Sequence, residues 1–145
     1  MENITKGIAA AFGAVVSFFC GMPPIVVVLI AAMSLDYVTG VACGIIGKSQ
    51  KTETGGLSSA AAFSGLMKKV VILLVVALAA LLDYAVASGA GVSFSAVTGA
   101  TCLWFIASEG ISIIENAAEI GIPVPDILKQ ALEIMRSNGG ASGDE

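Results

Sequence analysis

Three apolar runs, each about the length needed to cross a bilayer, constrain this chain more than any other feature. A spanning helix needs roughly 20 mostly apolar residues, and the runs Pro23 to Ile46, Val70 to Ala90 and Val92 to Ile114 all qualify. The first is uncharged except for Asp36, the second contains Asp83, and the third contains Glu109. Of the 145 residues, 57 % are hydrophobic and 12 % charged, whereas an ordinary soluble domain carries roughly 25 % charged residues. A small soluble domain keeps much of its surface wet, so this much apolar surface needs lipid as its solvent. The expected fold is all-α. It is a multi-pass membrane protein with three or four transmembrane helices and a C-terminal amphipathic helix, forming one membrane domain over residues 1–136.

The fourth span is the open point. Gly7 to Cys20 is apolar but only 14 residues long, which suits either a short tilted span or an interfacial helix. Ser88 to Gly91 is a short turn that makes the second and third spans (about 70–90 and 92–114) antiparallel neighbours. The interval 47–69 is polar, and its Lys-Thr-Glu-Thr-Gly-Gly-Leu-Ser-Ser run reads as flexible. Lys48, Lys51, Lys68 and Lys69 place it in the cytoplasm by the positive-inside rule. The C-terminus is then cytoplasmic in both the three-span and the four-span arrangement. Beyond Ile122-Pro123-Val124-Pro125, apolar Ile127, Leu128, Ala131, Leu132, Ile134 and Met135 give residues 125–136 helical periodicity. Such a helix lies on the membrane surface or packs on a neighbour. Residues 137–145 read as a flexible tail, and the N-terminus lacks the features of a secretory signal.

Several function classes are excluded. There is no histidine, so the commonest general base and metal ligand is missing. Cys20, Cys43 and Cys102 stand singly in apolar sequence, as small hydrophobes do, with no metal or disulfide spacing. The basic residues form no stripe with interleaved aromatics, so no nucleic-acid partner is expected. Neither a nucleophile–base pair nor a phosphate-cradling glycine loop is present. No catalytic, cofactor-binding or metal site is expected, and the chain is not expected to be an enzyme.

The residues that carry information are the acids in apolar sequence: Asp36, Asp83, Glu109 and, at the end of the third run, Glu115. No Lys or Arg lies inside any of the three runs. A central acid is costly in lipid, and it can be accommodated by taking up a proton or by facing a watery, protein-lined interior. A third solution, open to Asp36 and Asp83 above all, is to sit near a span end and reach headgroup water. Asp36, Gly40 and Gly44 follow at i, i+4 spacing, and Gly40-x-x-x-Gly44 is a small-residue spacing that lets helices approach closely. Ala79, Ala80, Asp83 and Ala87 make a comparable stripe. On the third run Thr98, Thr101, Cys102, Ser108, Glu109, Ser112, Glu115 and Asn116 fall within roughly 140° of arc. That polar face either lines water after oligomerisation or forms a seam buried between helices. Trp104 lies opposite it, as a packing residue or lipid contact.

These motifs resemble a known family. Leu35-Asp36-Tyr37-Val38-Thr39-Gly40 is similar to the Asp-Tyr-x-Thr-Gly signature of the phage holin family that includes clostridial toxin-secretion holins. Ser58 and Gly65-Leu66-Met67-Lys68-Lys69 resemble its loop leading to a Lys-Lys pair, and Leu81-Leu82-Asp83 resembles the acid ending its next span. Ser108-Glu109-Gly110-Ile111-Ser112-Ile113-Ile114-Glu115-Asn116 looks like its Asn-Glu-x-x-Ser-x-x-Glu-Asn segment, with Ser108 in place of Asn. Gly121-Ile122-Pro123-Val124-Pro125 before an amphipathic helix is similar too. The resemblance covers Pro23 to Met135. The tail departs from it by lacking a strongly basic end. The resemblance implies a homo-oligomer in the bacterial host's cytoplasmic membrane, embedded among membrane lipids. It would form lesions on a schedule and be coupled functionally to an endolysin or a toxin.

Two other readings fit the residues. A small proton-coupled transporter needs one privileged intramembrane acid, although an aromatic cage is missing here. An antiholin, or regulator of another holin, could arise by starting at Met22, which would remove Lys6 and the first apolar stretch.

Overall fold

The computed structural model of the protein describes residues 6–7, 21–91 and 95–140. All but Gly7 of the short apolar stretch Gly7 to Cys20 lies outside the described residues. Helix α1 (Pro24–Ile46) starts on Pro24, where the missing amide hydrogen costs nothing because the first turn has no acceptor for it. It ends where Gly47 adopts the left-handed conformation, φ +77°, which a residue without a Cβ adopts readily.

The next segment departs from its composition. The glycine- and serine-rich interval is held by hydrogen bonds: Ser49 N donates to Gly55 O (2.9 Å), Gly55 N to Thr52 O (3.1 Å) and Thr52 Oγ1 to Gly56 O (2.8 Å). Gly55 sits at φ +71°, and a Cβ there would fall 2.5 Å from the Gly47 carbonyl oxygen. The loop therefore needs glycine to close against the end of α1. It is also shorter than expected, because helix α2 (Ser59–Ala90) begins at Ser59 rather than Val70. The Ser58 hydroxyl accepts from Ala61 N at 3.4 Å, capping an alanine run of high helix propensity. Both Lys68 and Lys69 are thereby inside the helix.

Helix α3 (Ala96–Glu119) follows, with residues 92–94 of the expected third run outside the described ones. Gly121 at φ +89° and the Pro123/Pro125 pair end it and turn the chain into α4 (Asp126–Gly140). Residues 137–140 of the expected tail thus continue the helix.

Among the described residues, α1, α2 and α3 are long and apolar enough to cross a membrane. Helix α3 is central: it packs on α1, α2 and α4, whereas α1 and α2 touch each other little. Leu29, Met33, Val76 and Cys102 form the apolar core, with Ile25, Val26, Ile72, Phe105 and Ile106 against it. The outer stripe of α2, Val71, Leu74, Leu78 and Leu81, is exposed. Its uniform apolarity suits acyl chains rather than water.

Candidate functional site: a buried polar network among three helices

Asp36, Lys69 and Glu109 each lie ten residues from the same end of their helices: Asp36 from Ile46, Lys69 from Ser59, Glu109 from Glu119. At 1.5 Å per residue this sets all three about 15 Å from the loop-side ends, so equal depth brings them to one level. The Lys69 ammonium donates to Asp36 Oδ2 at 2.9 Å and also bonds the Glu109 carboxylate. Only 11 %, 12 % and 10 % of these side chains, in the order Lys69, Asp36 and Glu109, remains accessible.

Around this triad the polar atoms satisfy one another. Asn116 Nδ2 donates to Asp36 Oδ1 (3.1 Å) and Thr39 Oγ1 (2.9 Å). The Thr39 hydroxyl donates to the Asp36 carbonyl (3.0 Å), and Cys43 Sγ donates to the Asn116 carbonyl (3.2 Å). Lys51, half exposed on the loop, brings its ammonium to 3.9 Å from Asp36 Oδ1. No buried side-chain nitrogen or oxygen among the described residues lacks a partner. The two carboxylates thus meet one buried cation and a second at the edge. Charge balance and saturated hydrogen bonding are what an apolar surrounding demands of buried ions.

The expectation that the acids have no cation to pair with is therefore corrected for Asp36 and Glu109. Lys69 directly precedes the expected second span, yet a helix starting at Ser59 carries it nearly three turns inward, onto the face that meets α3.

The four acids occupy three environments. Asp83 leaves the network and caps α3. Its Oδ1 accepts from Val97 N (3.1 Å) and its Oδ2 from Thr98 N (2.8 Å). Ser95, the residue before α3, makes no side-chain cap of its own, so α2 supplies the anion that the helix N-terminus favours. Glu115 is exposed near the far end of α3.

The glycine face of α1 is filled within the protomer. A Cβ on Gly40 would meet Lys51 Nζ and Asn116 Nδ2 at 3.5 and 3.7 Å, and one on Gly44 would meet Leu57 at 3.2–3.3 Å. The polar face of α3 divides. Glu109 and Asn116 turn inward, Thr98 receives the Asp83 cap, and Thr101 and Ser112 are half buried. Ser108 lines a shallow groove between α2 and α3 with Ser64, Lys68 and Trp104.

A small, partly open cavity of about 70 Å³ between α1, the loop and α2 reaches the network, lined among others by Asp36, Gly40, Lys51, Leu57 and Lys69. What this arrangement does is bind helices to one another. Among the described residues no group of His, Cys, Asp or Glu could hold a metal.

The sequence profile described as the bacteriophage holin family matches residues 13–137, which contain all three spans and the whole network. The chain belongs to the bacteriophage holin family. An uncharacterized protein of Halalkalibacterium halodurans is 34 % identical over 95 % of this chain and 98 % of its own length. A "probable holin" of Bacillus phage phi105 is 33 % identical over 72 % of this chain and 68 % of its own. An uncharacterized 14.9 kDa protein of Clostridium perfringens is 34 % identical over 92 % and 96 %. No solved structure matches the chain at a significant level. Membership in the holin family and three apolar helices make this a membrane-inserted protein and point to a non-enzymatic role.

Proposed function

We propose that the protein acts as a holin: copies accumulate in the bacterial cytoplasmic membrane, associate, and open lesions that let an endolysin or a toxin leave the cell. The observation that carries this reading is the holin-family match across all three spans, supported by the phage phi105 relative. In the proposed orientation the loop 47–58, with Lys48 and Lys51, and the α3–α4 connection face the cytoplasm.

The Lys69 network serves this role as a brace. A protomer whose buried charges are balanced and hydrogen-bonded can reside in an intact bilayer without drawing water in. It also carries α1, α2 and α3 as one unit into the assembly. The same pairing weighs against a proton-coupled transporter, because Asp36 and Glu109 share one ammonium and neither stands alone as a privileged acid.

Induced expression in a bacterium, with and without a co-expressed cell-wall hydrolase, tests the proposal. An abrupt arrest of growth with release of cytoplasmic protein is the expected result. A membrane that stays tight to proteins after the chain has accumulated would overturn it.

A further inference from the structure

Two adjacent lysines on α2 have different surroundings. Lys69 is buried in the network, whereas Lys68 is exposed on the outside of the bundle. Helix α2 is 32 residues long, about 48 Å, against a hydrocarbon core about 30 Å thick. Roughly 18 Å of it therefore lies beyond the acyl chains, and the end with Ser59, Ser64 and Lys68 is the polar one. Lys68 is about 14 Å from Ser59 along the axis, where acyl chains give way to headgroups.

Lys68 borders the shallow groove between α2 and α3, and the lining of that groove changes with depth. Ser64, Lys68 and Ser108 stand at its loop-side end, with Val71, Ile72 and Phe105 about one turn deeper. Polar first and apolar towards the bilayer centre is also the order of groups in a phospholipid. Trp104 links the groove to α4, which folds back along α3. A Cβ on Gly110 would lie 2.7 Å from Leu132 Cδ2, and the Arg136 guanidinium carbon stands 6.0 Å from the centre of the Trp104 ring. An indole at headgroup level is in its favoured layer.

The charges here are not balanced by protein. Among the described residues neither Lys68 nor Arg136 forms an ion pair, although Glu133 is one turn from Arg136, whereas Lys129 is paired with Asp126. Both Lys68 and Arg136 are exposed. Basic pockets between helices at the membrane surface recognise anionic headgroups. A zwitterionic lipid brings a cation of its own to such a place, and a phosphodiester without one brings net negative charge.

We propose that the groove is a binding site for one anionic phospholipid of the phosphatidylglycerol type. Lys68 and Arg136 approach its phosphate from α2 and α4, the Ser64 and Ser108 hydroxyls face its glycerol backbone, and an acyl chain lies against Val71, Ile72 and Phe105. The site goes beyond the holin reading and does not depend on it, since lipid can be held by a chain that opens no lesion.

Trp104, the single tryptophan, reports on the groove. The full chain is reconstituted in phosphatidylcholine vesicles in which a fixed minor fraction of the lipid carries bromine on its acyl chains. Quenching is compared with that fraction as phosphatidylglycerol and as phosphatidylcholine. The expected result is stronger quenching by phosphatidylglycerol, equivalent to a preference of about tenfold, the scale that two cations supply at an anionic headgroup. Lys68→Gln/Arg136→Gln should bring the preference close to one. Lys48→Gln/Lys129→Gln removes the same charge elsewhere and should leave it intact.

Equal quenching by the two lipids in the parent chain would overturn the proposal, because the groove would then accept any lipid. Weak quenching by both would overturn it too, because protein would then cover the groove. So would a preference lost equally in both variant pairs, which is diffuse charge rather than a site. The parent comparison needs no substitution, so misfolding of a variant leaves the test decisive. A parent chain that shows the preference but releases no cytoplasmic protein from cells fails the holin reading alone.

Discussion

Replacing Lys69 by methionine removes the cation that two buried carboxylates share while keeping most of the stem volume. Both acceptor oxygens touch one nitrogen, so they lie at most about 6 Å apart at ordinary hydrogen-bond lengths. Two unit negative charges at that separation repel by roughly 3 kcal/mol at an effective dielectric of 20. The lost attraction adds to this. Lys51, at 3.9 Å from one Asp36 oxygen and more than half exposed, compensates little. Breaking a buried ion pair from one side costs about 3–5 kcal/mol, and the variant should lose stability on that scale.

The assay is a denaturing-detergent titration of purified chain in mild micelles, followed by helical circular dichroism, with lysis timing in cells measured in parallel. The companion variant, Asp36→Asn with Lys69→Met and Glu109→Gln, removes every charge of the triad. It should recover most of the loss, because no ion then remains to be desolvated. Should Lys69→Met unfold at the parent's midpoint, the network is not a brace and the reasoning about charge balance fails.

Other outcomes follow from individual contacts. Asn116→Ala leaves one Asp36 oxygen and the Thr39 hydroxyl without their donor, and should cost about 1–3 kcal/mol in the same titration. Gly44→Leu must displace Leu57, whose backbone a Cβ would already approach to 3.3 Å. The expected overpacking cost is about 1–3 kcal/mol, with faster proteolysis at residues 47–58 as the visible sign. Asp83→Ala uncovers the first amides of α3, so amide exchange at Val97 and Thr98 should accelerate selectively, whereas Asp83→Asn, which keeps an acceptor, should show a smaller change.

Much of the fold was legible because lipid is an unforgiving solvent. Each run of about 20 apolar residues has few alternatives to a spanning helix, and Pro23-Pro24, Gly47 and Gly121-Ile122-Pro123 mark helix ends by backbone chemistry alone. The start of α2 was not legible from composition. Glycines and serines over 54–59 suggest flexibility, yet the Gly55 turn and the Ser58 cap give that stretch a definite shape. The signal that was present, a serine ahead of three alanines, is short and common.

The sequence by itself determined that acids would be placed in membrane-spanning helices, that small residues would lie beside Asp36, and that residues 126–136 would be amphipathic. Periodicity along one helix depends on neighbours in the chain, so these features need no partner to be visible. Only the tertiary structure decided that Lys69 answers Asp36 and Glu109, that Asp83 caps a different helix, and that α4 lies against the back of α3. Each of those depends on the relative height and rotation of separate helices. Heights follow from where a helix begins, and moving the start of α2 by three turns turned a lysine at the edge of the membrane into the cation at the centre of the bundle.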